Sequence, residues 1–277
     1  MIDSSDVSCV ITLYNPAIDS LNKIESYSKI FKQVFIFDNT EKQHIFEVQE
    51  KLTSLNKNKN IIYINEGKNQ GLAIAFNKII NLCKTDYLCT MDQDSYFSEN
   101  DIKVIIYALN NKPSNACIIA PKVIYDNSNF KKNDRFVKKN YVITSGSFLD
   151  LHLFKKNNIT FDENYFIDRL DVDICKQIES IHYSSYEYEG AVLYQQLGEN
   201  NGHKHSSHNV LRHYYIFRNR FYFNNKYYSY QKKVCLNIFQ TLKHIVLIIL
   251  FEDDKLNKIK IFFKAYKDYK KGNMGSM

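Results

Sequence analysis

The sequence predicts an α/β protein, a sheet covered by helices on both faces, followed by a basic helical extension. Three observations predict it. Fully apolar, β-branched runs alternate with stretches of helical spacing over residues 7–120, the pattern of a parallel sheet buried between helix layers. Strand-like runs end near Tyr194, and aromatic-rich helical spacing takes over from Asn209. Ten Lys against four acids over residues 231–277 put +6 of the total +7 there, so residues 1–230 carry only +1.

Residues 7–13 open the series as a strand stopped at Tyr14-Asn15-Pro16. Ile18, Leu21, Ile24, Tyr27 and Ile30 then share one helical face, as i, i+3 and i+4 spacing requires. A short strand over 33–37 halts at Asp38-Asn39, an amphipathic helix follows over 43–55, and 60–64 is the third strand. Residues 71–83 place Leu72, Ala75, Phe76 and Ile79 on a broad apolar face, and the strand over 86–91 runs into Asp92-Gln93-Asp94. A helix over 100–109 and a strand over 116–120 complete the alternation. Later, 141–149 reads as a strand broken by Ser145-Gly146-Ser147, 170–181 as a helix and 189–194 as a strand. Beyond Asn209 two or three helices are expected, so the seam falls between a domain of residues 1–208 and an extension of 209–277.

Composition narrows the function classes. With 277 residues, 44% of them hydrophobic and 14% aromatic, the chain can bury a full core and is no disordered polymer. Only 3 Pro and 8 Gly exclude collagen-like and linker-rich classes. Six Cys without a C-x-x-C pair read as buried, reduced thiols of a cytosolic protein, not as a zinc site. The N-terminal residues carry acids before a short apolar stretch, unlike the basic start of a signal peptide. The strongest apolar run, 245–251, is shorter than the ~20 residues of a spanning helix. A nucleic-acid binder spreads basic residues over its main domain or along an aromatic platform, and this chain does neither.

In an open parallel sheet, ligands bind beyond the carboxyl ends of the strands. There the first strand delivers Thr12, Tyr14 and Asn15, the second Asp38 and Asn39. The third delivers Asn65 and Glu66 and leads to Asn69-Gln70-Gly71, and the fourth delivers Asp92, Gln93 and Asp94. No G-x-G-x-x-G or P-loop accompanies any strand. A sugar nucleotide held by side chains and a divalent cation becomes the stronger reading. Two acids at i and i+2 can put one carboxylate on a ribose hydroxyl and the other on a hard cation, although the same D-x-D also reads as a solvated turn. A second acidic cluster (Asp162, Glu163, Asp168, Asp171, Asp173) is interleaved with apolar side chains. It suits a partly buried general base or an acidic first turn complementing a helix dipole. His203, His205, His208, Arg212, His213, Arg218 and Arg220 offer metal or phosphate contacts. The histidine segment reads equally as a surface loop with at most one functional member, and the three Arg cannot share one phosphate.

Taken in order, these motifs resemble those of a known family. The pieces are Thr12-Leu13-Tyr14-Asn15-Pro16, Phe37-Asp38-Asn39, Asn69-Gln70-Gly71 with Asn77, and Met91-Asp92-Gln93-Asp94-Ser95. They continue with Thr144-Ser145-Gly146-Ser147, Phe166-Ile167-Asp168 to Asp171-Val172-Asp173, and His208 through Arg212 to Arg218-Asn219-Arg220. Over nearly the whole chain they resemble the bacterial rhamnosyltransferase-type branch of the family 2 glycosyltransferases. The resemblance implies a GT-A fold, a Rossmann-like nucleotide-sugar-binding domain with a mixed central sheet. It implies inverting transfer of L-rhamnose from dTDP-β-L-rhamnose to a hydroxyl of a lipid-linked bacterial surface-polysaccharide intermediate. Another donor, such as UDP-galactofuranose, and a non-catalytic scaffold of a glycan-assembly complex are the alternatives.

By the same resemblance, Thr12, Asn15, Asp38, Asn69, Gly71, Asn77, Asp92, Gln93, Arg212 and Arg218 bind the nucleotide sugar. Asp94 and His208 hold Mg²⁺ or Mn²⁺, and Ser145, Gly146 and Asp168 meet the acceptor or the donor sugar. Asp171 is the catalytic base, with Asp173 or Asp168 as substitute. Two positions depart from the pattern: Gln177 stands where an Arg is usual, and Ile174 where a Trp is usual. The implied partners are the donor, a lipid-linked oligosaccharide and the cytoplasmic face of the inner membrane, which the basic tail addresses. Packing of the tail on the domain, or on a second copy in a homo-oligomer, is the alternative.

Overall fold

A computed structural model of the chain describes residues 1–41, 45–125, 130–195 and 208–277. It divides into two compact units, Met1–Asp162 with Asp171–Gln196, and Glu163–Leu170 with Leu197–Met277. The second unit therefore includes a stretch from the acidic cluster that the expected seam at 208/209 left in the first.

The first unit begins with β1 (Val7–Leu13), α1 (Lys23–Ile30), β2 (Val34–Asp38), α2 (Ile45–Leu55), β3 (Ile61–Asn65), α3 (Leu72–Leu82) and β4 (Tyr87–Asp92). Every residue of β1 and β2 is buried, and so is β4 up to Met91. This is why these strands are apolar throughout and do not alternate. They run parallel, with Leu13 beside Asp38, Asp38 beside Asn65, and Thr12 beside Asp92. The carboxyl ends of all four strands are thereby level.

After β4 the sheet is mixed, as the family resemblance implied and the simple alternation of motifs did not. β5 (Ser95–Phe97), α4 (Glu99–Ala108), β6 (Ala116–Ile124), β7 (Phe136–Lys139), β8 (Ser147–Asp150), α5 (Leu151–Lys156), α6 (Leu170–Ser180) and β9 (Ser184–Gln195) complete the unit. The strand order is β3-β2-β1-β4-β8-β6-β9-β5, with β7 paired to β9. β8 is antiparallel to both β4 and β6, and β9 is parallel to β6. The strand expected over 141–149 starts only at Ser147 because Thr144-Ser145-Gly146 turn the chain; Gly146 has φ +75. A Cβ there would also lie 3.0 Å from a Leu193 methyl and 3.1 Å from Pro121 Cγ, so glycine is needed for backbone and for space.

The second unit contains α7 (Val210–Tyr227), α8 (Tyr230–Phe251) and α9 (Lys255–Lys271). The Asn209 side chain caps α7 by accepting from Arg212 N, and α9 stops at Gly272 with φ +73 after Lys270 and Lys271, basic residues that complement the helix C-terminus. Its core gathers Tyr214, Tyr215, Phe217, Ile248 and Ala265, with Phe166 and Ile167 from the recruited stretch. One expectation is corrected here. The apolar run 245–251 is the end of a continuous 22-residue helix, long and apolar enough, by length and composition alone, to cross a membrane. Asn237, Gln240, Thr241, Lys243 and His244 interrupt the apolar residues along the chain, and these interruptions hid the helix from a linear reading.

Candidate active site

The level strand ends of β1, β2, β3 and β4 form a polar rim. Asp38, fully buried, accepts from Thr40 N at 2.9 Å and from the Tyr63 hydroxyl at 2.8 Å. Burial, reinforced by that bond, raises the Tyr63 pKa far above its ordinary value. Asn65 Nδ2 donates to the carbonyls of Asp38 (2.9 Å) and Thr40 (3.0 Å), and Thr40 Oγ1 accepts from Asn15 N at 2.8 Å. Asn15 is exposed with φ +46, a conformation that Asn tolerates better than most residues. Asn39 Oδ1 accepts from Gln70 N and Asn69 Oδ1 from Gly71 N, both at 3.0 Å. Gly71 opens α3 with φ +82 and ψ 175, a region essentially closed to residues with a Cβ.

The acidic turn is fixed from three sides. Gln93 clamps Tyr14, accepting from its N–H at 2.8 Å and donating to its carbonyl at 3.1 Å. Ser145 Oγ accepts from Asp92 N at 3.1 Å and lies 2.7 Å from Ser95 Oγ. Lys23 Nζ donates to the carbonyls of Gln93 and Ser95. Burial lowers the Lys23 pKa, while Asp94 and Asp92 pull it back up, so the ammonium also offsets carboxylate charge at the turn. Asp94 is left exposed and Asp92 half-buried. Two carboxylates on a rigid, partly open turn suit a hard cation whose remaining ligands are phosphate oxygens and water. Among the described residues, no group of three or more His, Cys, Asp or Glu could hold a metal.

Asp171 sits half-buried in the first turn of α6, with Oδ1 accepting from Val172 N at 2.8 Å. It is close enough to Tyr125 to contribute to the raised pKa of that phenol, behind burial and Tyr141. Asp173 is fully buried, and its Oδ2 accepts from Gln177 Nε2 at 3.0 Å, while the same amide reaches Thr160 O at 3.1 Å. Burial and this bond remove Asp173 as a substitute base, and Gln177 has a bracing role at the position where an Arg was expected.

In the second unit, Asp168 and Arg169 are consecutive non-glycine residues with φ +62 and +73, a strained pair costing of order 1–3 kcal/mol per residue. Asn219, fully buried on α7, holds this turn by donating to Ile167 O at 2.6 Å and Asp168 O at 3.1 Å. Arg212 Nη2 reaches Asp168 Oδ1 at 3.3 Å, whereas the buried Oδ2 has no hydrogen-bond partner. Burial raises the Asp168 pKa despite Arg212.

Several expected contacts are corrected by burial. Arg218 is fully buried between the rings of Tyr214 and Tyr215, and its guanidinium donates to Gly275 O (2.7 Å), Asn273 O (3.4 Å) and Tyr214 Oη (3.3 Å). It anchors the C-terminal chain rather than a diphosphate. Asn77 spends its amide on the Phe161 backbone, with both bonds at 2.9 Å. Ser145 and Gly146 lie buried beneath the acidic turn and support it rather than meeting a sugar. Arg220 donates to Gln240 O at 2.8 Å and lies 3.0 Å from His244 Nδ1.

The first unit thus brings Thr12, Asn15, Asp38, Asn69, Gly71, Asp92, Gln93 and Asp94 to one set of strand ends and carries Asp171 on α6, while Asp168, His208 and Arg212 belong to the second. His208 donates its N–H to Glu252 Oε2 at 3.5 Å, and His203 and His205 lie outside the described residues. Reading the sequence missed Lys23 and Tyr63. Only the i+3 and i+4 pattern around Lys23 was visible, and that pattern does not say that a lysine on the helix margin reaches a turn 70 residues away.

Comparison with known proteins bears on the family and the fold. Residues 8–169, the polar rim and acidic turn included, match the family described as Glycosyl transferase family 2. The dTDP-rhamnosyl transferase RfbF of Shigella flexneri is 25% identical across 98% of this chain and 98% of its own. Among solved structures, TarS 1–349 of S. aureus in complex with UDP-GlcNAc superposes with a TM-score of 0.58 at 14% identity, over 95% of this chain and 80% of that one. The mannosyltransferase PcManGT of Pyrobaculum calidifontis, solved with GDP-Man and Mn²⁺, gives 0.59 at 10% identity, over 82% and 66%. Mixed sheet, level polar strand ends and acidic turn together make the fold GT-A, and the chain belongs to the family 2 glycosyltransferases.

Proposed function

We propose that the protein transfers L-rhamnose, with inversion, from dTDP-β-L-rhamnose to a hydroxyl of a lipid-linked surface-polysaccharide intermediate at the cytoplasmic face of a bacterial inner membrane. The observation that supports this most is the acidic turn Asp92-Gln93-Asp94, braced by Lys23, Gln93 and Ser145 at the level ends of four strands. The choice of donor is supported by the likeness to the Shigella dTDP-rhamnosyl transferase. UDP-galactofuranose is the alternative donor, and a non-catalytic scaffold the alternative role.

In this reading, Asn15, Asn69 and Gln93 face the nucleotide, with Thr12, Asp38 and Gly71 shaping the floor beneath it. Asp92 takes the ribose. Asp94 would hold Mg²⁺ or Mn²⁺, with His208 as a further ligand, and the cation would neutralise charge on the diphosphate. Asp171 accepts the proton of the acceptor hydroxyl as its oxygen attacks the anomeric carbon from the face opposite the diphosphate. The carbon–oxygen bond to dTDP breaks as the glycosidic bond forms, so the anomeric configuration inverts. Arg212, oriented by Asp168 at 3.3 Å, supplies positive charge to the departing group. Residues 1–208 form the transferase domain in this scheme, and 209–277 the basic extension.

A screen of nucleotide sugars with Mg²⁺ or Mn²⁺, read by nucleotide diphosphate release, tests the proposal. Release from dTDP-rhamnose above all other donors is expected. Release only from another donor reassigns the sugar, and thermal melting unmoved by every donor with metal supports the scaffold role.

A further inference from the structure

Helix α8 turns most of its apolar surface outward. Its inward face buries Ile248 and Thr241 but is otherwise polar: Asn237 Oδ1 and Gln240 Oε1 accept from Asn224 of α7 at 2.7 and 3.1 Å, and His244 meets Arg220 and His213 at 3.0 Å each. Its outward face is apolar: Cys235, Ile238, Phe239, Leu242, Val246 and Ile249 are all exposed and recur at the i, i+3, i+4, i+7 spacing of a single stripe. A helix in water does the reverse, since ~25 cal/mol per Å² of apolar surface favours burial. Only Lys232 and Lys243 border the stripe, at helical distances of three or four residues from Cys235, Phe239 and Val246.

Charge chooses the occupant. Residues 231–277 carry a net +6. A two-fold dimer through this stripe would bring two such segments together, whereas an anionic bilayer attracts each Lys near its surface by about 1 kcal/mol. Tyr228 and Tyr230, with Lys232 and Lys233 over their rings at 4.6 and 5.4 Å, add the aromatic–basic belt suited to the headgroup layer. Crossing the bilayer would strip Asn237, Gln240 and His244 from their α7 partners into hydrocarbon. We infer that α8 lies in the plane of an anionic membrane surface, its Cys235–Ile249 stripe inserted among the acyl chains and the face that carries Asn237, Gln240 and His244 kept on α7. This deepens the membrane-peripheral part of the proposed function but stands on α8 alone.

Cys235 is the exposed cysteine among five buried ones in the described residues, so an environment-sensitive fluorophore on it reports insertion in the full chain. With vesicles of phosphatidylcholine containing one quarter phosphatidylglycerol, the protein is expected to float and the label to brighten. The outward Leu242→Glu and Val246→Glu variants should lose at least tenfold in flotation while keeping their helical circular dichroism. Equal flotation on pure phosphatidylcholine overturns the anionic assignment. No flotation of the native chain overturns the inference, as does a label shielded without vesicles in a concentration-dependent oligomer. Donor hydrolysis in detergent-free solution needs no vesicle, so loss of the glycosyltransferase reading is scored separately.

Discussion

Acidification should destabilise the second unit through a histidine that cannot be protonated in place. Arg220 is donor-only, so His244 Nδ1, 3.0 Å away, must be the acceptor. His244 then carries its hydrogen on Nε2 and donates to His213 Nδ1 at 3.0 Å, and His213 Nε2 donates to Glu252 Oε2 at 2.8 Å. Burial lowers the His244 pKa from 6.5 to about 3, with Arg220 adding to the effect. Burial also lowers that of His213, against the opposing pull of Glu252. A folded pKa below the unfolded one means that the unfolded chain binds more protons, so the contribution is whole above 6.5 and is lost as pH falls below it.

Between pH 7.5 and 5, one histidine released from a folded pKa near 3 to 6.5 costs at most about 2 kcal/mol. Partial solvent screening brings this nearer to about 1 kcal/mol. His244→Gln keeps an acceptor for Arg220 and a donor for His213 but does not titrate. Urea unfolding followed by circular dichroism at the two pH values should show the native chain losing about 1–2 kcal/mol more than the variant. Equal losses, or a His244 ring titrating near 6.5 in the folded protein by NMR, would refute the reasoning.

Further outcomes are expected at the first unit. Asp171→Asn should lower turnover by about 10²–10⁴-fold with donor affinity unchanged in calorimetry; unchanged turnover moves the base elsewhere. Asp94→Ala should abolish the thermal shift that donor and Mn²⁺ produce together, leaving the melting of the protein alone as it was. Lys23→Met removes two bonds to the acidic turn and should weaken donor binding with metal several-fold, measurable by titration calorimetry. Gly146→Ala must strain the backbone at φ +75 and push on Leu193, and should cost about 1–3 kcal/mol in denaturant midpoints.

The parallel half of the fold was legible because its strands are buried on both faces and so carry unbroken apolar runs. β5, β7 and α5 were not, since strands of three or four residues and a helix of six leave no period to read. The acids of the candidate site could be found from their place after β4 and at the start of α6. Which of them is open to solvent could not, because only burial separates the half-open Asp171 from the enclosed Asp173. The cluster Arg218-Asn219-Arg220 misled for a related reason. Arginine serves a diphosphate and a buried carbonyl equally well, and what distinguishes the two is the path of residues 273–275, far along the chain.

The two-residue turn between β4 and β5 has a kinetic consequence. β5 does not fold back on β4 but pairs with β9 at the other edge of the sheet, Ser95 beside Gln195. Gln93 and Asp94 are thus strung between the middle of the sheet and its margin, and the turn cannot open without disrupting pairing at one end. The Asp92 amide, bound to Ser145 Oγ at the head of the turn, should exchange with solvent more slowly than that of an ordinary surface loop. The entropy of ordering the carboxylates is then spent when the sheet forms, and an arriving donor meets a site already set.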